Sequence, residues 1–366
     1  MCAFTIDETT TPSLCLAGGL PRLTMSTAPE VDFDAEAPPV QRIQAIARST
    51  PPADIMRYMK QLSDIYLSEN DELSGTGNPN ADARSRQFYE DDDGESAAVC
   101  KWRMDAPWTC KFVTKTVLDE MSVIQWIYAM RCLDEGFGQL RESKTREAMP
   151  WFVHATAAFK LLARTGAREG CMRFSEKLPP MFKAYVCQAW ALLAQAYAHV
   201  AAANAAFAVH SADSMSQLCM DGIKHGACAA NVASFALEVM RNEHGRDFLS
   251  KSMTDPFARA CTILVAWGKF QAAVYYYYDA THQALALEHI NWWIAVCADS
   301  PNVTKSMFAT RTFLTYNSQG FVSSWVSSFK GLIGTAAPNP LPDVPDAQVT
   351  VPMVLPERLL FPVADT

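Results

Sequence analysis

The feature that most constrains the fold is a run of 29 residues, 184–212, in which no side chain carries a formal charge. Such a run is long enough to cross a bilayer. Nearly half of its residues are alanine, however, and the polar side chains of Gln188, Gln195, His199 and Asn204 recur along it. Each uncompensated amide or imidazole would cost several kcal/mol in hydrocarbon. We therefore predict a central helix that is buried on all sides in a soluble bundle.

Long stretches of helical periodicity surround this run and follow one another with short breaks. The predicted helices cover 115–137, 146–165, 178–204, 215–240, 256–298 and a shorter pattern within 302–334. Gly136 and Gly166 follow the first two patterns and indicate helix ends. This succession predicts an all-α fold built from antiparallel helical hairpins.

The remaining segments complete a predicted single domain over 1–366. Residues 1–50 are mixed and indicate short extended pieces, and an amphipathic helix with Ile55 and Met59 on one face follows Pro51-Pro52. Residues 68–98 are polar and acidic and predict a mobile loop, which precedes a helical core over 100–335. Seven prolines from Pro338 onward exclude a helix over 336–366. This Pro-rich tail is either an extended strap docked on the domain, which its apolar residues favour, or a disordered ligand segment.

Charge and cysteine usage narrow the class of protein. Residues 1–100 carry 7 basic and 17 acidic side chains, whereas residues 101–183 carry 14 and 9. The acidic N-terminal part is not typical of a nucleic-acid-binding protein. The basic middle faces either an acidic partner or an anionic membrane, or it is a solvated helix surface of mixed sign. The eleven cysteines are scattered without metal-ligand spacing, which indicates buried thiols in a reducing compartment. The N-terminus lacks the pattern of a signal peptide, so we expect a cytoplasmic protein.

No motif for catalysis or for a cofactor is found. The seven histidines show no zinc-ligand spacing, and no phosphate-binding glycine loop occurs. Cys187 with His154 is conceivable as a nucleophile pair, but nothing nearby indicates an activated thiol. We therefore predict no catalytic residue, no metal, no cofactor and no small-molecule substrate.

Six short motifs, in order, carry a family resemblance. They are Lys101-Trp102 before Asp119 to Trp126, Ala157-Ala158-Phe159, Leu193-Ala194-Gln195-Ala196, Ile223 to Ala233, Lys269 to Tyr276, and the Val-Pro pairs at 344–345 and 351–352. Their order and spacing resemble the Bro domain of the Bro-one type, which is found in ALIX and its relatives. The resemblance covers roughly 100–350. A segment around Trp190 is also similar to one tetratricopeptide helix, without a second copy at the period of that repeat.

The resemblance implies a curved, banana-shaped helical domain with a tetratricopeptide-like core. It also implies a small N-terminal sheet, which residues 1–25 would have to supply, and an extended Pro-rich strap. The chain ends where the family domain ends, so it resembles a divergent, Bro-domain-only member. Family members are non-enzymatic adaptors that recruit ESCRT-III subunits of the Snf-seven class in endosomal sorting, by binding an amphipathic helix in a shallow apolar patch.

The resemblance also implies four candidate partner-binding residues. The family's patch uses an aromatic residue just after the Leu-Ala-Gln-Ala motif, and this position falls on Val200. Two aliphatic residues on the next helix fall on Cys219 and Ile223, or on Leu218 and Gly222 if the register shifts by one. Valine and cysteine at these positions each remove apolar contact worth about 1–2 kcal/mol. ESCRT-III binding is therefore expected to be weakened, altered or lost.

Three functions follow from these observations. The first is a Bro-like adaptor that captures an amphipathic helix between the helices beginning at Leu178 and Met215, and that reaches endosomal membranes through its partner. The second is a tetratricopeptide-like scaffold that has lost ESCRT-III binding and uses another peptide partner. The third is an enzyme with a novel site, which a deep cleft with clustered titrating groups would support.

Overall fold

The computed structural model describes residues 24–25, 52–53, 55–56, 59, 100–104, 110–114, 117–167, 179–208, 217–244, 251–298, 300–318 and 337–342. Three short strands, β1 (Thr24–Met25), β2 (Cys100–Met104) and β3 (Cys110–Thr114), form an antiparallel sheet in the order β1-β2-β3. The helices are α1 (Val117–Arg141), α2 (Thr145–Ala167), α3 (Ala184–Ala208), α4 (Gln217–His244), α5 (Lys251–Tyr277), α6 (Gln283–Val296) and α7 (Pro301–Ser318). The predicted all-α fold class is confirmed, with a small sheet added to it.

The predicted position of the small sheet along the sequence was wrong. Residues 1–25 were expected to supply the sheet, and 100–114 was included in the helical core. The hairpin of β2 and β3 instead supplies two of the three strands, and Trp102 pairs with Phe112 in its register. The sequence of β2, Cys-Lys-Trp-Arg-Met, alternates apolar and charged side chains with the period of two that a strand requires.

Several helix boundaries differ from the predicted ones, and two of the differences have a clear physical cause. Helix α1 continues through Gly136 to Arg141. Gly136 does not end the helix but makes room for the ring of Phe152, since a Cβ at this position would lie 2.8 Å from that ring. The pattern over 256–298 forms two helices, α5 and α6, and not one. In the turn between them the carboxylate of Asp279 accepts a hydrogen bond from the backbone N–H of Thr281 at 2.9 Å. Aspartate stabilises such turns without glycine or proline.

The core is arranged around α3, which packs against α2 on one side and α4 on the other. Tyr197 stacks on Phe152 of α2 with ring centroids 5.6 Å apart and meets Phe137 of α1 edge-on at 4.8 Å. Further along α3, Trp190 meets Phe257 of α5 edge-on at 5.4 Å. Aromatic pairs in these geometries add about 0.5–1.5 kcal/mol each beyond area burial. Four helices are therefore fixed to α3 by aromatic and aliphatic packing.

Other predicted core positions are also buried. Ile55 and Met59 have helical backbone and are 1% and 0% exposed, whereas the rest of that predicted helix and the acidic loop over 68–98 lie outside the described residues. Cys187, Cys228 and Cys261 are buried and form no disulfide. Among the helices that the structure describes, none has a stretch that is both long and apolar enough to cross a bilayer.

Part of the Pro-rich tail is docked. Within residues 337–342, the backbone carbonyl of Asn339 accepts a hydrogen bond of 2.6 Å from Nε2 of His289 on α6. Leu341 packs against the hydrophobic core. The described part of the tail is therefore a strap, and its residues from 343 onward lie outside the described part of the chain.

Helices α4 and α5 cross at a contact made of small residues. A Cβ on Gly268 of α5 would lie 2.3 Å from the backbone oxygen of Gly226 and 2.6 Å from the Cβ of Ala230 on α4. No real Cβ fits at these distances, so the two backbones would have to separate. The close approach of α4 and α5 therefore depends on glycine at position 268.

We expect Gly268→Ala to lower the free energy of unfolding by about 1–3 kcal/mol, because overpacking outweighs the better helix propensity of alanine. Gly138→Ala is the matched control, since nothing lies within 4 Å of the added Cβ and the position is inside α1. It should be neutral or stabilising by up to about 1 kcal/mol. Urea denaturation of both variants measures the difference, and equal stabilities would contradict this role of Gly268.

Candidate functional site

The structure places two of the four predicted partner-binding residues in the core. Val200 on α3 and Ile223 on α4 are both 0% exposed, so neither side chain presents a surface to a partner in this structure. Leu218 and Cys219 fall in the first turn of α4, and their side chains lie outside the described residues. The part of these four residues in partner binding stays a prediction.

The alternative register at Gly222 is occupied by an aromatic ring. A Cβ on Gly222 would lie 2.5 Å from Cε1 of Phe207, in the last turn of α3. Phe207 is 8% exposed, and it follows Val200 by seven residues, which places the two on the same side of α3. The aromatic side chain that packs across the α3–α4 hairpin is thus Phe207. Alignment to the Leu-Ala-Gln-Ala motif missed it because it lies two helical turns further along.

One side of α3 is left partly exposed by the helices that the structure describes. The partly exposed side chains recur at helical spacing and form a single line, here called the α3 stripe: Tyr185, Gln188, Leu192, Gln195, Ala202 and Ala206. Spacings of three, four and seven residues put these positions on one face of a helix. The prediction that this helix is buried on all sides is therefore wrong along this stripe. The exposed surface is uncharged and mostly formed by small or apolar side chains.

Two contacts with the flanking helices adjoin the stripe. On the α2 side, Nζ of Lys160 donates to Oε1 of Gln195 at 3.5 Å, and Lys160 itself is exposed. On the α4 side, Nδ1 of His199 lies 3.3 Å from Nδ1 of His225. The stripe therefore has a cation beside it, and the buried His199 interrupts it between Gln195 and Ala202.

The histidine pair is held in the uncharged form. Burial, together with a smaller effect of the neighbouring His225, lowers the pKa of His199 to about 4. Burial also lowers the pKa of His225, although the carboxylate of Asp221 acts in the opposite direction. In a hydrogen bond between the two Nδ1 atoms, one ring donates and the other accepts. Only a neutral ring has a nitrogen that can accept, so at least one of the two rings must be uncharged. Protonation of both rings would break this contact between α3 and α4.

The thiol considered as a nucleophile is in an unreactive environment. Cys187 is buried, its Sγ donates to the backbone oxygen of Met181 at 3.1 Å, and burial raises the pKa of the thiol. His154 is not its partner, since Nδ1 of His154 lies 2.7 Å from the hydroxyl oxygen of Tyr128. A raised pKa keeps the thiol protonated and therefore weakly nucleophilic. Among the residues that the structure describes, no three His, Cys, Asp or Glu side chains form a metal-binding group.

Comparison with known proteins was made at three levels. No family model matches the sequence, and no curated protein matches it. A solved structure described as a complex of the ALIX BRO1 domain with CHMP4C is similar, with a TM-score of 0.50 and 12% sequence identity. The similarity covers 89% of this chain and 94% of that chain. At this identity it shows the fold alone, and the fold is of the BRO1 type.

The histidine pair predicts a pH dependence of stability. Between pH of about 6.5 and about 4, the unfolded chain binds a proton at position 199 and the folded chain does not, so the free energy of unfolding falls as the pH is lowered. The loss should reach at most about 3 kcal/mol. His199→Gln keeps a hydrogen-bonding side chain that does not titrate. Urea denaturation at several pH values should give a flatter curve for this variant than for the wild type, and parallel curves would contradict the assignment.

Proposed function

We propose that this protein is a non-enzymatic adaptor that binds an amphipathic helix of an ESCRT-III-like subunit along the α3 stripe. In this proposal it acts in the cytoplasm and reaches endosomal membranes through its partner. The observation that carries the proposal is the BRO1-type fold over most of the chain, in a structural neighbour that is described as a complex with CHMP4C. The likeness is one of fold, so the partner class is inferred and needs a direct test.

The chemistry of the α3 stripe supports a helical partner. An amphipathic helix binds in a groove through apolar side chains at i, i+3, i+4 and i+7. The stripe offers Leu192 as an apolar contact, and Ala202 and Ala206 as small side chains that allow close approach of a partner backbone. Its 25-residue helix carries no charge, so the apolar face of a partner can be buried without stranding an ion.

The charges beside the stripe favour an acidic partner. Lys160 is exposed on α2 beside the stripe, and Arg164 is exposed one helical turn further on. Two basic side chains spaced by four residues on a helix point to the same side. They would attract the acidic face of an amphipathic helix whose apolar face lies on the stripe, and would contribute more to association rate and orientation than to affinity.

The four sequence-derived residues take different parts in this proposal. Val200 and Ile223, which are buried, would shape the floor from beneath, whereas Leu218 and Cys219 would contribute at the first turn of α4. The burial of Val200, at the position where the family has an aromatic contact residue, favours the second candidate function. In that alternative the protein is a tetratricopeptide-like scaffold that has lost ESCRT-III binding and takes another peptide.

We expect the purified protein to bind the C-terminal helix of CHMP4C with micromolar affinity, measured by fluorescence anisotropy. Leu192→Glu should weaken binding at least about tenfold, or about 1.4 kcal/mol, because it places a carboxylate on the apolar stripe. Phe313→Glu is the matched control, since Phe313 is 43% exposed on α7, outside the stripe. It should bind as the wild type does.

Two outcomes would contradict the proposal. A folded wild-type protein that does not bind the helix would reject the ESCRT-III partner and leave the alternative scaffold. Equal weakening by Leu192→Glu and Phe313→Glu would show that binding does not use the stripe. Circular dichroism melting of each variant separates loss of binding from loss of folding. Ile223→Asp is unsuitable as a binding variant, because a buried carboxylate in the core would report on folding instead.

A further inference from the structure

A cavity that the proposed adaptor function does not use lies between α4, α5, α6 and the strap. Its volume is about 260 Å³. It is lined by Ala227 of α4, Lys269 and Ala272 of α5, Trp292 and Trp293 of α6, and the prolines of the strap. The lining is mostly apolar and aromatic with a few polar groups, which is the composition of small-molecule sites in proteins.

The walls of the cavity are formed by packed helices and by the docked strap. Two alanines on facing helices, Ala227 and Ala272, lie in its wall, and their short side chains leave the space open. The opposite wall is the strap, which is fixed in place by the hydrogen bond from His289 to the carbonyl of Asn339. The space is therefore bounded by packed helices on one side and by an anchored segment on the other.

The charge in the lining indicates the chemistry of a ligand. Lys269 is the one lining residue with a formal charge, and it is half-buried, as are Trp292 and Trp293. Lysine and tryptophan side chains carry hydrogen-bond donors and no acceptor atom. This part of the lining therefore favours a ligand that carries a negative charge and acceptor oxygens.

The size of the cavity sets an upper limit on the ligand. An apolar protein cavity of about 150 Å³ accommodates benzene. A cavity of about 260 Å³ therefore accommodates a ring system larger than benzene but is below the range of about 300–1,000 Å³ that is typical of sites for drug-sized ligands. A bicyclic aromatic body, or an aliphatic chain of similar volume, fits this limit.

We propose that this cavity binds a small apolar monocarboxylate. The apolar body lies against Trp292, Trp293 and the prolines of the strap, and the carboxylate is held by the Lys269 ammonium. The four-carbon stem of lysine lets the charge follow the ligand oxygens. Since the ligand contacts both α5 and the strap, its binding also stabilises the docked strap.

The test uses the full chain and 2-naphthoate as the probe, with 2-naphthamide as its uncharged counterpart, in isothermal titration calorimetry. We expect 2-naphthoate to bind with a sub-millimolar dissociation constant and 2-naphthamide at least about tenfold more weakly. Lys269→Met should remove this preference for the charged probe. Lys305→Met, at an exposed position of α7, should leave it unchanged.

A second variant tests the location by volume. Ala272→Leu fills the cavity from its α5 wall and should abolish binding of both probes while the thermal unfolding of the protein remains cooperative. Three results would each overturn the proposal: no binding of 2-naphthoate to the wild type, binding that is unaffected by both Lys269→Met and Ala272→Leu, and binding at this site of an acidic peptide but not of 2-naphthoate. None of these results bears on CHMP4C binding, which is measured at the α3 stripe.

Discussion

Helix α3 is uncharged, and its burial requires the other helices to pack around it. A helix of 25 residues without a formal charge is stable in water only if other elements cover it. The surrounding helices supply that cover through large rings, with Phe137 of α1 and Phe152 of α2 around Tyr197, and Phe257 of α5 against Trp190. The alanines of α3 complement these rings, because small side chains let the neighbouring backbones approach closely.

The same constraint decides where a partner can bind. The described helices leave much of the exposed surface of α3 on the α3 stripe, which has Lys160 beside it and the buried pair of His199 and His225 within its line. An uncharged floor with a cation beside it matches an amphipathic helix with an acidic face. The strap and its cavity lie elsewhere, on α4, α5 and α6, so the two proposed sites can be tested independently.

Much of the fold was predictable from the sequence, and the errors have physical causes. The helices were predicted because apolar residues recur with the helical period, and Ile55 and Met59 are buried as that period requires. The predicted helix ends were wrong where a residue type does not by itself show whether a helix ends. Gly136 was taken as a helix end but serves as a packing contact with Phe152, and the turn at Asp279 contains neither glycine nor proline. The hairpin at 100–114 was missed because its strands have only five residues each.

The all-α class, the central helix and the resemblance to the Bro domain can be read from the sequence, because they depend on patterns that are local along the chain. Which side chains are exposed depends on the packing of the helices. Val200 and Ile223, expected at a binding surface, are in the core, whereas Leu192 and Gln195 lie on the α3 stripe. The pairing of His199 with His225 and the cavity beside Lys269 also arise from contacts between separate helices. Burial and contacts across helices depend on how the helices rotate and cross, and periodicity within one helix does not specify that rotation.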